Sequence, residues 1–308
     1  MPDYILHHYP PSPVAEKIRK AFGIKRLKWH GVEENRLPPR PELFAMSGGY
    51  RRIPVLQVGA DIYCDTQCIL RELEAREPAP TLFPMGIGGM PFGLSRWSDD
   101  ELFTLAFKAV LAPVAGDLPA DFVADRARLY LGADNDMVKE AADMPHTLSQ
   151  LRAMMGWVDQ RFQSGVSFVL GDQPAMPDLL VWYIVWFLRE RYHDAVAFFD
   201  EFEALNQWAE RMNALGYGEQ HSMSPREALL VAKSNEPQAP SFGDACDPQG
   251  LTVGMNVTIE PLTESGETPI AGRLHAVGRD VIALFLENDE CGATVVHFPR
   301  VGYRVRVV

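Results

Sequence analysis

The sequence has few cysteines, and they are not arranged in close pairs. There are four of them, Cys64, Cys68, Cys246 and Cys291, in a chain of 308 residues. A zinc cage or a disulfide framework needs paired elements such as C-x₂-C, so this distribution argues against both. We therefore predict four reduced thiols and no bound metal.

Long apolar runs are also missing. No stretch approaches the roughly 18 to 20 apolar residues that a membrane-spanning helix requires. The opening residues MPDYILHHYP do not follow the charged-then-apolar layout of a secretory signal peptide. The sequence therefore predicts a soluble, cytoplasmic protein with no membrane partner.

Positive charge is in deficit, since 29 Lys and Arg stand against 41 Asp and Glu, for a net charge of −12. Nucleic acids and anionic membrane surfaces bind basic patches, so neither is an expected partner. The deficit is uneven, because residues 1–80 carry 12 basic and 10 acidic side chains. This nearly balanced segment would suit a small anionic ligand.

Apolar residues are plentiful, at 47% of the chain, and their spacing changes along it. Strand-like and helix-like segments alternate at first, helical spacing follows, then a polar stretch, then short β-type runs separated by Gly, Pro and Asn. We predict four parts: an α/β domain at 1–80, an all-helical domain at 94–215, a linker with one short helix at 216–244, and a small all-β, barrel-like domain at 245–308.

Three short segments of the α/β domain have the residue types of a binding site. In Ser12-Pro13, a helix-capping residue precedes a proline at the first helical position, directly after a strand. Ile53-Pro54 opens an apolar strand, where proline is tolerated near the start. Asp65-Thr66 begins a further helix. Helix starts present free N–H groups, which favour anionic ligands.

These segments, extended to Tyr9–Arg19, Ile53–Leu56 and Asp65–Leu70, resemble the thioredoxin-like, glutathione-binding domain of the glutathione transferase family. The helical segment is similar to that family's second domain. The resemblance covers residues 3–215 and implies a thioredoxin-like α/β domain followed by a helical bundle. Residues 245–308 match no standard part of the family, so the β domain is an unusual extension.

The resemblance implies roles for individual residues. Ser12 would donate a hydrogen bond to the glutathione sulfur and so be the catalytic residue. The backbone of Ile53, before a cis-Pro54, would pair with the cysteinyl backbone of the tripeptide. Asp65 would bind the γ-glutamyl ammonium group, and Thr66 would bind the γ-glutamyl carboxylate.

Other side chains near these segments leave alternatives open. Arg52, or its neighbour Arg51, would contact the glycyl carboxylate of glutathione. The hydroxyl of Tyr9 competes with Ser12 for the sulfur. Because serine rather than cysteine stands at the first turn, conjugation is favoured over thiol reduction. A reductase that uses Cys64 or Cys68 is a third, weaker hypothesis.

The helical domain contains a capping segment, Gly171–Asp178, ahead of an apolar run. The family places Ser or Thr where this chain has Ala175. Asp178 must therefore satisfy the N–H groups at the helix start alone, and its predicted role is in folding.

The leading hypothesis is a homodimeric glutathione transferase with glutathione as co-substrate and a small hydrophobic electrophile as partner. It would serve detoxification, with peroxide reduction as a side activity; the dimer is implied by resemblance only. The alternative is a non-catalytic module with the same fold, whose C-terminal β domain recruits a protein partner.

Overall fold

The computed structural model describes residues 3–84, 86–263 and 265–308. It divides the chain into two compact units. The first combines the N-terminal segment up to Ile18 with Arg26–Leu73 and Gly218–Val308. The second consists of Arg19–Lys25 and Glu74–Tyr217.

The strands lie in the first unit. In chain order they are β1 (Tyr4–His8), β2 (Lys28–Glu33), β3 (Val55–Val58), β4 (Asp61–Cys64), β5 (Glu219–Met223), β6 (Asn256–Pro261), β7 (Ile270–Val277), β8 (Val281–Asn288), β9 (Gly292–Pro299) and β10 (Tyr303–Val307). Across the described ranges they form one sheet in the order β10-β6-β7-β8-β9-β4-β3-β1-β2-β5.

The helices occur in both units. They are α1 (Pro13–Lys25), α2 (Pro41–Ser47), α3 (Thr66–Arg76), α4 (Met90–Arg96), α5 (Phe103–Leu111), α6 (Ala120–Leu131), α7 (Met137–Ala142), α8 (Met144–Gln163), α9 (Met176–Arg191), α10 (Ala195–Phe199), α11 (Glu203–Ala214) and α12 (Pro225–Lys233). None of them, within the part of the chain that is described, is long and apolar enough to cross a membrane.

The C-terminal β segment is confirmed, and it continues the N-terminal sheet. Strand β9 pairs in parallel with β4, so that Asp61 lies opposite Val295 and Tyr63 opposite His297. The His297 ring stacks on the Tyr63 ring at 4.4 Å. Without β9, the edge of β4 would present unpaired N–H and C=O groups. The extension is therefore an integral part of the first unit.

Residues 216–244 contain the short helix predicted for this segment and, in addition, a strand that was not predicted. They contain β5, which pairs in parallel with β2 from Lys28 opposite Glu219 onward, and α12. Helix α12 begins with a capping box, in which Ser224 and Glu227 bond each other's backbone N–H. The strand was missed because its sequence, EQHSM, is polar and mostly exposed, so it has no apolar alternation.

A continuous hydrophobic core joins the extension to the thioredoxin-like part of the first unit. It includes buried side chains from α2, β3, β4, α12 and the extension, such as Leu43, Tyr50, Leu229, Leu284 and Phe298. Side-chain bonds add to it, since Asn288 donates to the carbonyl of Ala45 at 2.9 Å and Thr294 to that of Met46 at 3.0 Å.

The second unit is built around α9, which is buried on nearly all sides, as its apolar sequence predicts. Asp178 accepts bonds from the N–H groups of Val169 (2.9 Å) and Ala175 (3.0 Å) and from the indole of Trp208 (2.9 Å). The capping role predicted for Asp178 is thus present, and its carboxylate also binds the loop at Val169 and helix α11.

Candidate functional site

The three predicted site segments meet at one edge of the first unit because of the strand register. Strand β1 runs antiparallel to β3, with His7 opposite Val55, and β3 runs antiparallel to β4, with Val55 opposite Cys64. The end of β1, the start of β3 and the end of β4 therefore lie side by side. Ser12, Pro54 and Asp65 follow or precede these strand ends and share that edge.

Ser12 lies at the N-terminus of α1. It is only 2% exposed, and its hydroxyl accepts a bond from the N–H of Ala15 at 3.2 Å. Its own N–H donates to the carbonyl of Tyr9 at 3.0 Å, which shapes the turn out of β1. The Tyr9 side chain belongs to the hydrophobic core of the unit. Ser12 is thus a helix cap, and its hydroxyl is placed at the positive end of the helix dipole.

The start of β3 has the predicted backbone geometry. The peptide between Ile53 and Pro54 is cis. The Ile53 side chain belongs to the hydrophobic core of the unit.

Asp65 begins α3 in a left-handed conformation, with φ of 71°. Among non-glycine residues this conformation is tolerated best by Asn and Asp. One carboxylate oxygen accepts a bond from the N–H of Gln67 at 2.9 Å, and the main-chain carbonyl accepts from Ile69. The other carboxylate oxygen accepts a long bond from the hydroxyl of Tyr303, at 3.4 Å. Asp65 is therefore both a helix cap and a point of contact with the extension.

Lys17 is a site residue that sequence reasoning missed. Its ammonium group donates to the hydroxyl of Thr66 at 3.4 Å, and the lysine is 1% exposed. In the sequence, Lys17 resembles an ordinary polar position of a helix. Its neighbour Glu16 is also buried. Lys17 lies five residues after Ser12, more than one helical turn into α1. This spacing is the only feature of the local sequence that relates Lys17 to the site. The buried ammonium group of Lys17 therefore lies beside the hydroxyl of Thr66, which is one of the predicted ligand-binding groups.

Arg52 is held by the extension. Its guanidinium donates to both carboxylate oxygens of Glu267, at 3.0 and 2.9 Å from Nε, and to the hydroxyl of Thr263 at 2.8 Å. Although burial opposes it, bonding to Glu267 raises the pKa of Arg52 above its usual value. The carboxylate partner predicted for Arg52 was the glycyl end of a ligand, whereas here the chain itself supplies one.

Two tyrosines complete this wall of the site. The hydroxyls of Tyr50 and Tyr303 are 2.8 Å apart, and burial raises the pKa of both above the ordinary value of tyrosine. A cavity of about 210 Å³ lies beside them, and Arg51 and Glu267 also contribute to its lining. The extension therefore supplies part of the wall of this cavity.

The thiols of Cys64 and Cys68 are buried, and burial raises the pKa of both. A nucleophilic cysteine must be ionised and accessible, so these residues do not fit the reductase hypothesis. Among the residues described, no group of three or more His, Cys, Asp or Glu side chains is placed to hold a metal ion.

This burial leads to a prediction about thiol reactivity. In the native protein we expect a disulfide reagent such as dithiobis(nitrobenzoate) to modify Cys246 rapidly, since that side chain is exposed and Cys291 is buried with the other two. All four thiols should react in denaturant. The Cys246→Ser variant is the control and should lose the fast phase. Rapid native modification of Cys64 or Cys68 would restore the reductase hypothesis.

Comparison with known proteins identifies the family. Residues 6–81 match the glutathione S-transferase N-terminal domain, and residues 139–211 match the glutathione S-transferase C-terminal domain. A solved GST-like protein from Pseudomonas syringae is 30% identical over the whole of both chains, with a TM-score of 0.82. This chain belongs to the glutathione S-transferase family. The resemblance seen in the sequence is thereby confirmed.

Two further solved structures share the glutathione S-transferase fold at low identity. A glutathione transferase from Phanerochaete chrysosporium is 17% identical, with a TM-score of 0.56, covering 70% of this chain and 98% of its own. A glutathione S-transferase from Methylobacterium radiotolerans, solved with glutathione sulfonate, is 18% identical, with a TM-score of 0.51, covering 72% and 97%. No curated protein sequence matches the chain.

Proposed function

We propose that this glutathione S-transferase family member binds glutathione in its first unit and transfers the glutathionyl group, through its sulfur, to small hydrophobic electrophiles. The observation that carries the proposal is the strand register, which brings Ser12, Ile53 and Asp65 to one edge of the sheet. Two helix N-termini, those of α1 and α3, open at the same edge and favour an anionic ligand. Related folds were solved with glutathione or its sulfonate bound.

The charges at this edge match those of a γ-glutamyl group, which carries one ammonium and one carboxylate. Asp65 supplies a carboxylate for the ammonium group. Thr66, with the buried Lys17 ammonium 3.4 Å from its hydroxyl, supplies a donor and a positive charge for the carboxylate. The backbone of Ile53 would align the cysteinyl residue between them.

The chemistry then depends on the sulfur. At the N-terminus of α1, the Ser12 hydroxyl donates a hydrogen bond that favours the thiolate over the thiol. The thiolate attacks the electrophilic carbon, a sulfur–carbon bond forms, and in a substitution the leaving group departs with the bonding electron pair. The thiol proton is released to solvent before attack. We further propose a homodimer in the cytoplasm, on the strength of family membership.

Replacing Ser12 with Ala tests this mechanism. A free thiol with a pKa near 8.5 is only a few per cent ionised at pH 7, whereas lowering that pKa to about 6.5 ionises about three quarters. In Ser12→Ala we expect the thiolate fraction of bound glutathione at pH 7 to fall roughly 25-fold, and turnover to fall only about threefold, because a less acidic thiol gives a more nucleophilic thiolate. Calorimetry at pH 7 should show glutathione affinity reduced only about fourfold, which is the loss of thiolate stabilisation, since the tripeptide contacts remain.

The measurements are the ultraviolet absorbance of the thiolate against pH and the turnover of a panel of electrophiles. Tyr9→Phe is the matched control, because it removes the competing hydroxyl and should leave both readouts unchanged. If Tyr9→Phe rather than Ser12→Ala removes the activity, the catalytic role passes to Tyr9. If wild-type protein fails to bind glutathione at millimolar concentration, the proposed function is wrong.

A second candidate is the non-catalytic module. Two contacts favour it: Arg52 is already paired with Glu267, and Asp65 is already contacted by Tyr303. This function requires that the wild-type protein leave the rate of every electrophile in the panel at its uncatalysed value. Measurable turnover that depends on Ser12 would eliminate it.

A further inference from the structure

Arg52 and Glu267 form an ion pair between the predicted ligand site and the extension. The Glu267 side chain is 5% exposed, and it also accepts a bond from the hydroxyl of Ser265. Thr263 accepts from the same guanidinium. A carboxylate bound through two oxygens to a guanidinium reproduces the way in which arginine binds the carboxylate of a ligand.

The pair also has the right location to matter for binding. Arg52 directly precedes Ile53, whose backbone is the proposed partner of the cysteinyl residue. Glu267, Thr268 and Arg51 line the cavity of about 210 Å³, beside Tyr50 and Tyr303. A ligand arm leaving the cysteinyl residue past Ile53 would thus meet the Arg52 guanidinium already paired with Glu267, next to a cavity that Arg51 also lines.

We propose that Glu267 competes with the carboxyl-terminal carboxylate of the thiol co-substrate for Arg52. The site consequently accepts γ-glutamylcysteinyl thiols with an uncharged carboxyl-terminal arm as readily as it accepts glutathione. This inference rests on the proposed glutathione site. It makes Glu267, a residue of the extension, a determinant of specificity.

The physical reason is an exchange of one buried ion pair for another. For a glycyl carboxylate to bind Arg52, Glu267 must give up its bidentate partner, and an unpaired buried carboxylate is strongly disfavoured. The negative charge of the glycyl carboxylate therefore adds little to the free energy of binding. An ester or amide arm enters the cavity without breaking the pair between Arg52 and Glu267. Its lack of charge therefore reduces the binding affinity only slightly.

The extension cannot simply withdraw Glu267. Strand β9 is hydrogen-bonded to β4, and the core is continuous between them. Glu267 precedes β7 in the same sheet, three residues before Ile270. The Glu267 carboxylate is therefore an integral part of the cavity wall.

Calorimetric titrations with glutathione and with its glycyl monoethyl ester test the proposal. For wild type we expect the two dissociation constants to agree within about threefold. Glu267→Gln removes the competing charge, so glutathione should then bind at least about tenfold more tightly than the ester. Glu260→Gln is the matched control, because Glu260 pairs with Arg306 on an exposed part of the same extension. It should behave like wild type.

Other outcomes overturn the inference and separate it from the proposed function. A tenfold preference for glutathione in wild type that is unchanged in Glu267→Gln would mean that the Arg52–Glu267 pair stabilises the structure but does not affect ligand specificity. If Glu267→Gln does not fold, the wild-type ratio decides alone, and a tenfold preference for glutathione rejects the proposal. If neither ligand binds wild type, the glutathione site itself is wrong, and the inference falls with it.

Discussion

A chain that ends at Asp244 is expected to lose cooperative folding of its first unit. Removing 245–308 leaves the edge of β4 unpaired and uncovers apolar side chains of α2, β4 and α12. Full burial of one large apolar side chain contributes about 1.5–3 kcal/mol. If Leu43, Met46, Ile62 and Leu229 each lost half of that, the total of about 3–6 kcal/mol would approach the whole stability of a typical domain.

The measurement is urea unfolding followed by circular dichroism, together with solubility on expression. A matched control keeps every residue but cuts the backbone at a protease site inserted among the exposed residues near Asp244. The two fragments should stay together on size exclusion and separate in denaturant. A truncated chain that is soluble and unfolds cooperatively at the wild-type midpoint would show that the extension is an independent domain.

Replacing Asp178 with Ala is expected to destabilise the second unit by about 3–5 kcal/mol, because three buried N–H donors lose the acceptor that they share. Burial raises the pKa of this carboxyl to about 6, above the value near 3.9 of an unfolded chain. The folded state therefore holds the proton more tightly, and the stability that results is lost as pH rises from about 4 to about 6. The deficit of the variant should accordingly be larger at pH 4 than at pH 7.5.

Urea unfolding monitored by tryptophan fluorescence gives this deficit, since Trp208 is one of the three donors. Asp172→Ala is the matched control: it removes an exposed carboxylate from the same segment and should change stability by less than about 0.5 kcal/mol. A deficit for Asp178→Ala no larger than that of the control would mean that water replaces the carboxylate at this helix start.

Local signals were enough to predict the site segments. Proline after Ser12 marks a helix start, and Asp65-Thr66 does the same for α3, because capping and φ preferences act within a few residues. The cis peptide at Pro54 and the cap at Asp178, which the family resemblance implies, are also present. The roles of these residues toward glutathione stay predictions.

Features that depend on distant pairing were not predicted. The polar strand β5 forms because β2 offers it an edge, and β9 pairs with β4 across more than 200 residues. Lys17 looks like a polar helix position until Thr66 is placed beside it. Neither the hydropathy pattern nor the spacing of residues indicates which distant segments pair with one another.

The sequence by itself determined that an α/β segment, a helical segment and a β segment follow one another, where α1 and α3 start, and the membership of a family that can be recognised from short motifs. Only the tertiary structure decided that the extension shares the sheet and core of the thioredoxin-like part, and that Glu267 is bound to Arg52. The reason is physical. Capping, turns and periodicity are properties of neighbouring residues, whereas an ion pair across 215 positions exists only once the sheet has brought its two ends together.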